Sequence, residues 1–174
     1  MVFVKKEMVS DNMRFYVEGD ICHLDEVLLP LDSEIKKYDW FFTDMEAHVF
    51  KKSEEIEEED GAGTIFEKGY LYITGEELYD FFKKYGVLII FGVVIAVEKT
   101  NTDVLKNPPD PPIIQDNERY WERDYFLTIP DSVMEFGFFD STCLIFASTN
   151  ESIIQKFKDQ FPTAISYSDY LELE

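Results

Sequence analysis

Two cysteines, two histidines and three arginines are all that 174 residues hold of those types. Each shortage closes off some chemistry. Cys22 and Cys143 stand in segments of different character with no repeating spacing, so they fit buried thiols better than a disulfide framework. Zinc needs three or four ligands, and Cys22, Cys143, His23 and His48 contain neither a C-x-x-C nor an H-x-x-x-H pair. Arg14, Arg119 and Arg123 are too few to neutralise a phosphate backbone, which disfavours nucleic acid as a direct ligand and anionic membranes as a surface. Glycine supplies no phosphate-cradling loop: Gly61, Gly63 and Gly69 do not fit G-x-x-x-x-G-K-[ST], and no G-x-G-x-x-G follows a strand. The most apolar run, Val87 to Val97, is eleven residues, well short of the roughly 20 that a spanning helix requires. The first ten residues lack the apolar stretch of a secretory signal, so a cytoplasmic location is expected.

What the chain does have is acid. Thirty-six Asp and Glu against sixteen Lys and Arg give a formal charge of −20. Hydrophobic residues still make up 45% and aromatics 16%, enough for a sizeable core, so the charge belongs to a folded surface rather than to a disordered polymer. The length fits one domain over residues 1–174.

The pattern along the chain is that of an α+β protein, mainly an antiparallel sheet of six or more strands with two principal helices packed on it. Met13 to Glu18 reads as an early strand, closed by Gly19-Asp20, and Leu24, Val27 and Leu28 mark a short helix. Lys37–Thr43 and Glu46–Lys51 are aromatic and β-branched runs that suggest two antiparallel strands around Asp44-Met45. Tyr70–Thr74 reads as a strand. Thr74 and Glu77 form a capping-box pattern that opens a helix over 75–85, with Gly86 as its expected C-cap and Val87–Val97 as a central strand bent at Gly92. Tyr125–Ile129 alternates like another strand. Val133–Phe139 and Cys143–Ala147 flank Asp140-Ser-Thr142 as a hairpin, and Asn150 caps a last helix over 151–161. Two loops interrupt this order: an acidic one over about 53–63, and a proline-rich one over about 100–117 that holds four of the seven prolines.

No constellation of nucleophile, base and orienter emerges, so no catalytic residue and no cofactor are assigned. Cys22-His23 reads as a buried thiol beside the start of a helix, and the acidic loop lacks the alternating ligands and glycine of a calcium site. The acidic surface itself remains. Its candidate partner-binding residues are Glu54, Glu55, Glu57, Glu58, Glu59 and Asp60 in the loop; Asp39, Asp44 and Glu46 in the aromatic segment; and Asp116, Glu118, Trp121 and Glu122 after the prolines. Carboxylates with aromatic anchors among them are what a basic protein would find complementary. The plainer alternative is a solvated surface that keeps the chain soluble, and for Trp40 and other strand aromatics core packing is the expected role.

The order of Tyr38-Asp-Trp40, Thr74-Gly-Glu-Glu-Leu78, the Val87–Val97 strand and Phe139-Asp-Ser-Thr142 resembles small acidic bacterial proteins of Bacillus-type families. In size and charge the chain is also similar to immunity proteins, which neutralise secreted or contact-delivered toxins. That resemblance implies inhibition of a basic toxin domain, such as a nuclease, by electrostatic complementarity. Two other readings are a nucleic-acid mimic, which would need acids in ordered rows, and a small enzyme, which would need His48 or Cys143 in a pocket beside a carboxylate.

Overall fold

The computed structural model describes residues 9–53, 62–67, 69–99, 112–123, 125, 127–129 and 132–173. The candidate residues Glu54, Glu55, Glu57, Glu58, Glu59 and Asp60 fall outside that set, as does the proline-rich stretch up to residue 111.

A seven-stranded, wholly antiparallel sheet dominates the molecule, with strands β1 (Arg14–Glu18), β2 (Asp39–Lys51), β3 (Tyr70–Ile73), β4 (Tyr85–Val97), β5 (Ser132–Phe139), β6 (Cys143–Ser148) and β7 (Ile165–Ser166). Their spatial order is β3-β2-β4-β5-β6-β1-β7. The eleven-residue apolar run lies in β4, paired on both sides and covered on both faces, which explains why it carries almost no polar residue. Asp140 and Ser141 both adopt positive φ, turning β5 into β6 as expected of a short hairpin.

Among the described residues, four of the five helices lie on one face. They are α1 (Leu24–Leu28), α2 (Asp32–Ile35), α3 (Gly75–Lys84) and α4 (Glu151–Gln160), while α5 (Tyr167–Tyr170) follows β7 near the other face. Helices α3 and α4, ten residues each, stand where the sequence pattern expects helices, but the sheet dominates the molecule and the expectation of just two principal helices is not confirmed. Thr74 makes both bonds of its capping box with Glu77. Asn150 accepts from the amides of Ser152 and Ile153. From these helices Leu78, Phe82, Ile153 and Phe157 drop onto Trp40, Phe42, Phe136 and Phe146, and the Phe146 and Phe157 rings stack 4.0 Å apart. The Trp40 indole N–H, which needs an acceptor when buried, donates to the Ile35 carbonyl at 2.9 Å.

Three sequence expectations change. Residues 39–51 form one long strand rather than two: Asp44 and Met45 bulge out of register opposite Gly92, and Met45 lies where a side chain on Gly92 would stand. Gly86 does not cap α3. The chain passes at Tyr85 (φ −124°) straight into β4, and Gly86 is a strand residue against the Phe50 ring. Tyr125, Leu127 and Ile129 are buried, but these three residues belong to no strand. Their polar groups go elsewhere: the Tyr125 carbonyl accepts from Val9 N–H at 2.9 Å, and the Thr128 amide donates to the Glu135 carboxylate at 3.0 Å.

Candidate functional site

The second face of the sheet carries the segment that holds Asp116, Glu118, Trp121 and Glu122 among the described candidates. Tyr16, Phe41, Val93, Ile95 and Ile145 line it, and the 112–129 segment lies across them with Ile114, Tyr120, Tyr125, Leu127 and Ile129 turned inward. Gly137 makes the close approach possible, since a Cβ there would come within 2.8 Å of Ile114 Cδ1. The bulged Asp44 anchors the start of the segment, its Oδ2 accepting the amides of Ile114 at 2.8 Å and Gln115 at 3.1 Å.

The segment then turns at Asp116 (φ 53°) and forms a 3-10 turn, Glu118–Trp121. Asn117 caps it by accepting from the Arg119 amide, and Glu118 sits in its first turn, where the helix dipole favours an acid. Carbonyls at such a helix end need donors from elsewhere. Three buried side chains supply them: Tyr16 Oη to the Tyr120 carbonyl at 2.6 Å, Tyr167 Oη to that of Trp121 at 2.7 Å, and Arg14 Nη2 to that of Glu122 at 2.6 Å. Trp121 is therefore fixed from behind. Its ring stacks on Tyr16 (5.4 Å, 12°), meets Phe139 edge-on (5.9 Å, 90°), and is still 36% exposed.

From Trp121 an aromatic row continues through Phe139 to Phe91, whose rings are 5.3 Å apart at 86°. Glu46 is the register partner of Phe91, so its side chain leaves the same face. Glu46, opposite Phe91 in the ladder, is exposed, and so are Asp116, Glu118 and Glu122, which are chain neighbours of Trp121 at one end of this half-exposed aromatic row. Two segments 70 residues apart meet here.

Two candidates have another role. Asp39 is 4% exposed and accepts from the Tyr72 hydroxyl and the Gly75 amide, joining β2, β3 and the start of α3. Burial, then this bond to Asp39, pushes the Tyr72 phenol up. Asp44 is half-buried and committed to the two amides already named. An aspartate in an aromatic run reads as surface charge, but here backbone amides that lack ladder partners draw both inward.

Beneath the row lies a polar centre that the sequence reading missed. Glu135, 1% exposed, accepts at Oε1 from Tyr120 Oη (2.8 Å), Tyr125 Oη (2.7 Å) and Thr128 Oγ1 (3.1 Å), and at Oε2 from the Thr128 amide. Arg119 Nη2 stands 3.5 Å from it. Burial, then the neighbouring Glu135 charge, pushes both phenols well above their ordinary value. Desolvation works to lower the Arg119 guanidinium, but Glu135 and the two tyrosines outweigh it and hold it protonated. Arg14, also 1% exposed, lies with its guanidinium carbon 3.7 Å from the Tyr167 ring centre and 4.8 Å from that of Tyr125. The available signal was a lone charge inside an apolar strand pattern, Glu135 in Val133–Phe139 and Arg14 ahead of Phe15-Tyr-Val17.

Two open clefts are formed by described residues. One of about 600 Å³ is lined by residues including Ser132, Thr149, Asn150 and Glu151, and another of about 370 Å³ by Lys51, Lys52, Lys83, Lys84, Ser53 and Tyr85. Neither contains a histidine or cysteine. Cys143 is half-buried, and burial, then the Glu18 charge, pushes its thiol up to about 11, which disfavours a thiolate nucleophile. Among the described residues no group of three or more His, Cys, Asp or Glu could hold a metal ion, and no helix is long and apolar enough to cross a membrane. No family model matches the chain, and no curated protein or solved structure shows significant similarity to it.

Proposed function

We propose that this is a cytoplasmic acidic binding protein that blocks a basic protein partner, in the manner of an immunity protein neutralising a basic toxin domain such as a nuclease. The observation that carries the reading is the half-exposed Trp121–Phe139–Phe91 row, with exposed Glu46 opposite Phe91 at one end and exposed Asp116, Glu118 and Glu122 in the segment that carries Trp121 at the other. Tryptophan anchors on a rigid support are where binding energy concentrates, and a surrounding field of one sign speeds encounter with the opposite sign. The charge of −20 supplies that field and turns away nucleic acid itself.

The experiment is to mix the purified chain with a basic toxin domain encoded beside it and to measure affinity and residual toxin activity across a salt series. The reading expects inhibition, with affinity falling as salt rises. Absence of binding, or binding indifferent to salt, overturns it. Trp121→Ala should weaken the complex by about 2 kcal/mol or more if the row is its centre.

A further inference from the structure

We infer that the exposed indole face of Trp121, together with the Glu118 carboxylate, is a seat for an arginine side chain of the partner and selects arginine over lysine. The inference rests on the reading of this face as a docking surface for a basic protein and names the group that the surface grips. A 3-10 helix completes a turn every three residues, so Glu118 and Trp121, at its first and fourth positions, project from the same side. Tyr16 stacks on the indole and Phe139 packs at right angles to it, which holds the ring in one orientation, and the ring keeps 36% of its surface exposed with the exposed Glu118 on the same side of the turn. A guanidinium satisfies both at once, its plane lying on the ring while its N–H edge meets the carboxylate. An ammonium has no plane to stack and stays more strongly hydrated.

The molecule builds the same combination internally. Arg119 stands 5.1 Å from the Tyr120 and Tyr125 ring centres with Glu135 as its carboxylate, and Arg14 stacks on Tyr167. Because Arg119 turns inward to Glu135, it does not occupy the outer seat. Arg123 is the exposed cation of the segment and opposes an incoming guanidinium. A second copy of this chain would bring a further charge of −20 to the surface, which favours a cationic occupant instead.

The test uses tetra-arginine amide and tetra-lysine amide as probes at low salt. Trp40 is fully buried, so of the two tryptophans only Trp121 should respond to a surface ligand. Tetra-arginine should shield Trp121 from acrylamide quenching and should bind at least about threefold more tightly than tetra-lysine, the preference worth about 0.5–1 kcal/mol expected of an exposed cation–π contact. By calorimetry, Trp121→Leu should abolish the preference, Glu118→Gln should weaken tetra-arginine by a similar factor with an unchanged unfolding midpoint, and Arg123→Gln should strengthen it. Equal affinities for the two peptides, or a preference that survives Trp121→Leu, would overturn the seat. The two readings fail separately. Arginine selectivity without any toxin binding removes the inhibitor function but keeps the seat, whereas salt-sensitive toxin binding unchanged in Trp121→Leu keeps the function and removes the seat.

Discussion

The two faces of the sheet are closed by different physics. On one, helices α3 and α4 present apolar stripes to Trp40, Phe42, Phe136 and Phe146, and the contact is almost wholly hydrophobic. On the other, the irregular 112–129 segment is held by a buried carboxylate, two arginines and tyrosine hydroxyls, with apolar residues filling the spaces between. A helix satisfies its own amides and needs only an apolar stripe to dock. An irregular segment brings unpaired amides and carbonyls with it, and the sheet has to supply partners in the form of buried side chains. The helical face should therefore tolerate apolar exchange, while the other depends on a few polar residues. The surface proposed for docking stands on the second face, where polar anchoring fixes one tryptophan in place.

The sharpest challenge to that comparison is Glu135→Ala. It takes the shared acceptor from two tyrosine hydroxyls and the Thr128 amide and removes the carboxylate beside Arg119, and breaking a buried charge cluster costs about 3–5 kcal/mol. Urea denaturation should show that loss. Hydrogen exchange should show the Thr128 amide opening while α4 stays protected, and a still-protected Thr128 amide would mean that apolar contacts alone hold the segment. Next in size is Ile153→Ala on the helical face, expected to cost about 3 kcal/mol through a cavity under α4. Here the 112–129 amides should keep their protection relative to global unfolding. Loosening of both faces together would show that they are one cooperative unit.

The smallest effect concerns charge on the helical side, where Lys156 of α4 reaches the Glu34 carboxylate of α2. Burial works to raise the Glu34 carboxyl, but the Lys156 and Lys37 ammonium groups outweigh it and hold the group below its ordinary value of 4.5. A carboxyl depressed in the folded state stabilises it above that ordinary value and loses the contribution as pH falls through the folded one. Glu34→Gln should therefore be less stable than the parent near neutrality, with the gap narrowing below about pH 4.5. A gap that persists in acid would assign the loss to packing instead of charge.

Local signals account for much of the fold. Thr74 and Glu77, Asn150, and the Asp140-Ser-Thr142 turn are read correctly because their chemistry is complete within four residues. The errors arise where partners are distant. Gly86 has helix-stop chemistry, but pairing with Phe50 makes it a strand residue. Tyr125–Ile129 has strand periodicity, but its amide at Thr128 goes to a carboxylate. The candidate site divides the same way: Glu118, Trp121 and Glu122 are exposed as expected from their neighbours, whereas Asp39 and Asp44 are drawn inward by amides 36 and 70 positions away.

The sequence by itself determined the charge, the central apolar strand and the capped helices. Only the tertiary structure decided which carboxylates face solvent, that Glu46 and Trp121 share one surface, and that Glu135 and Arg14 hold it from below. The reason is the range of each interaction. Helix caps, turns and apolar periodicity act between residues a few positions apart, while the pairing of a buried polar group is fixed by whichever strand and segment the sheet brings beside it.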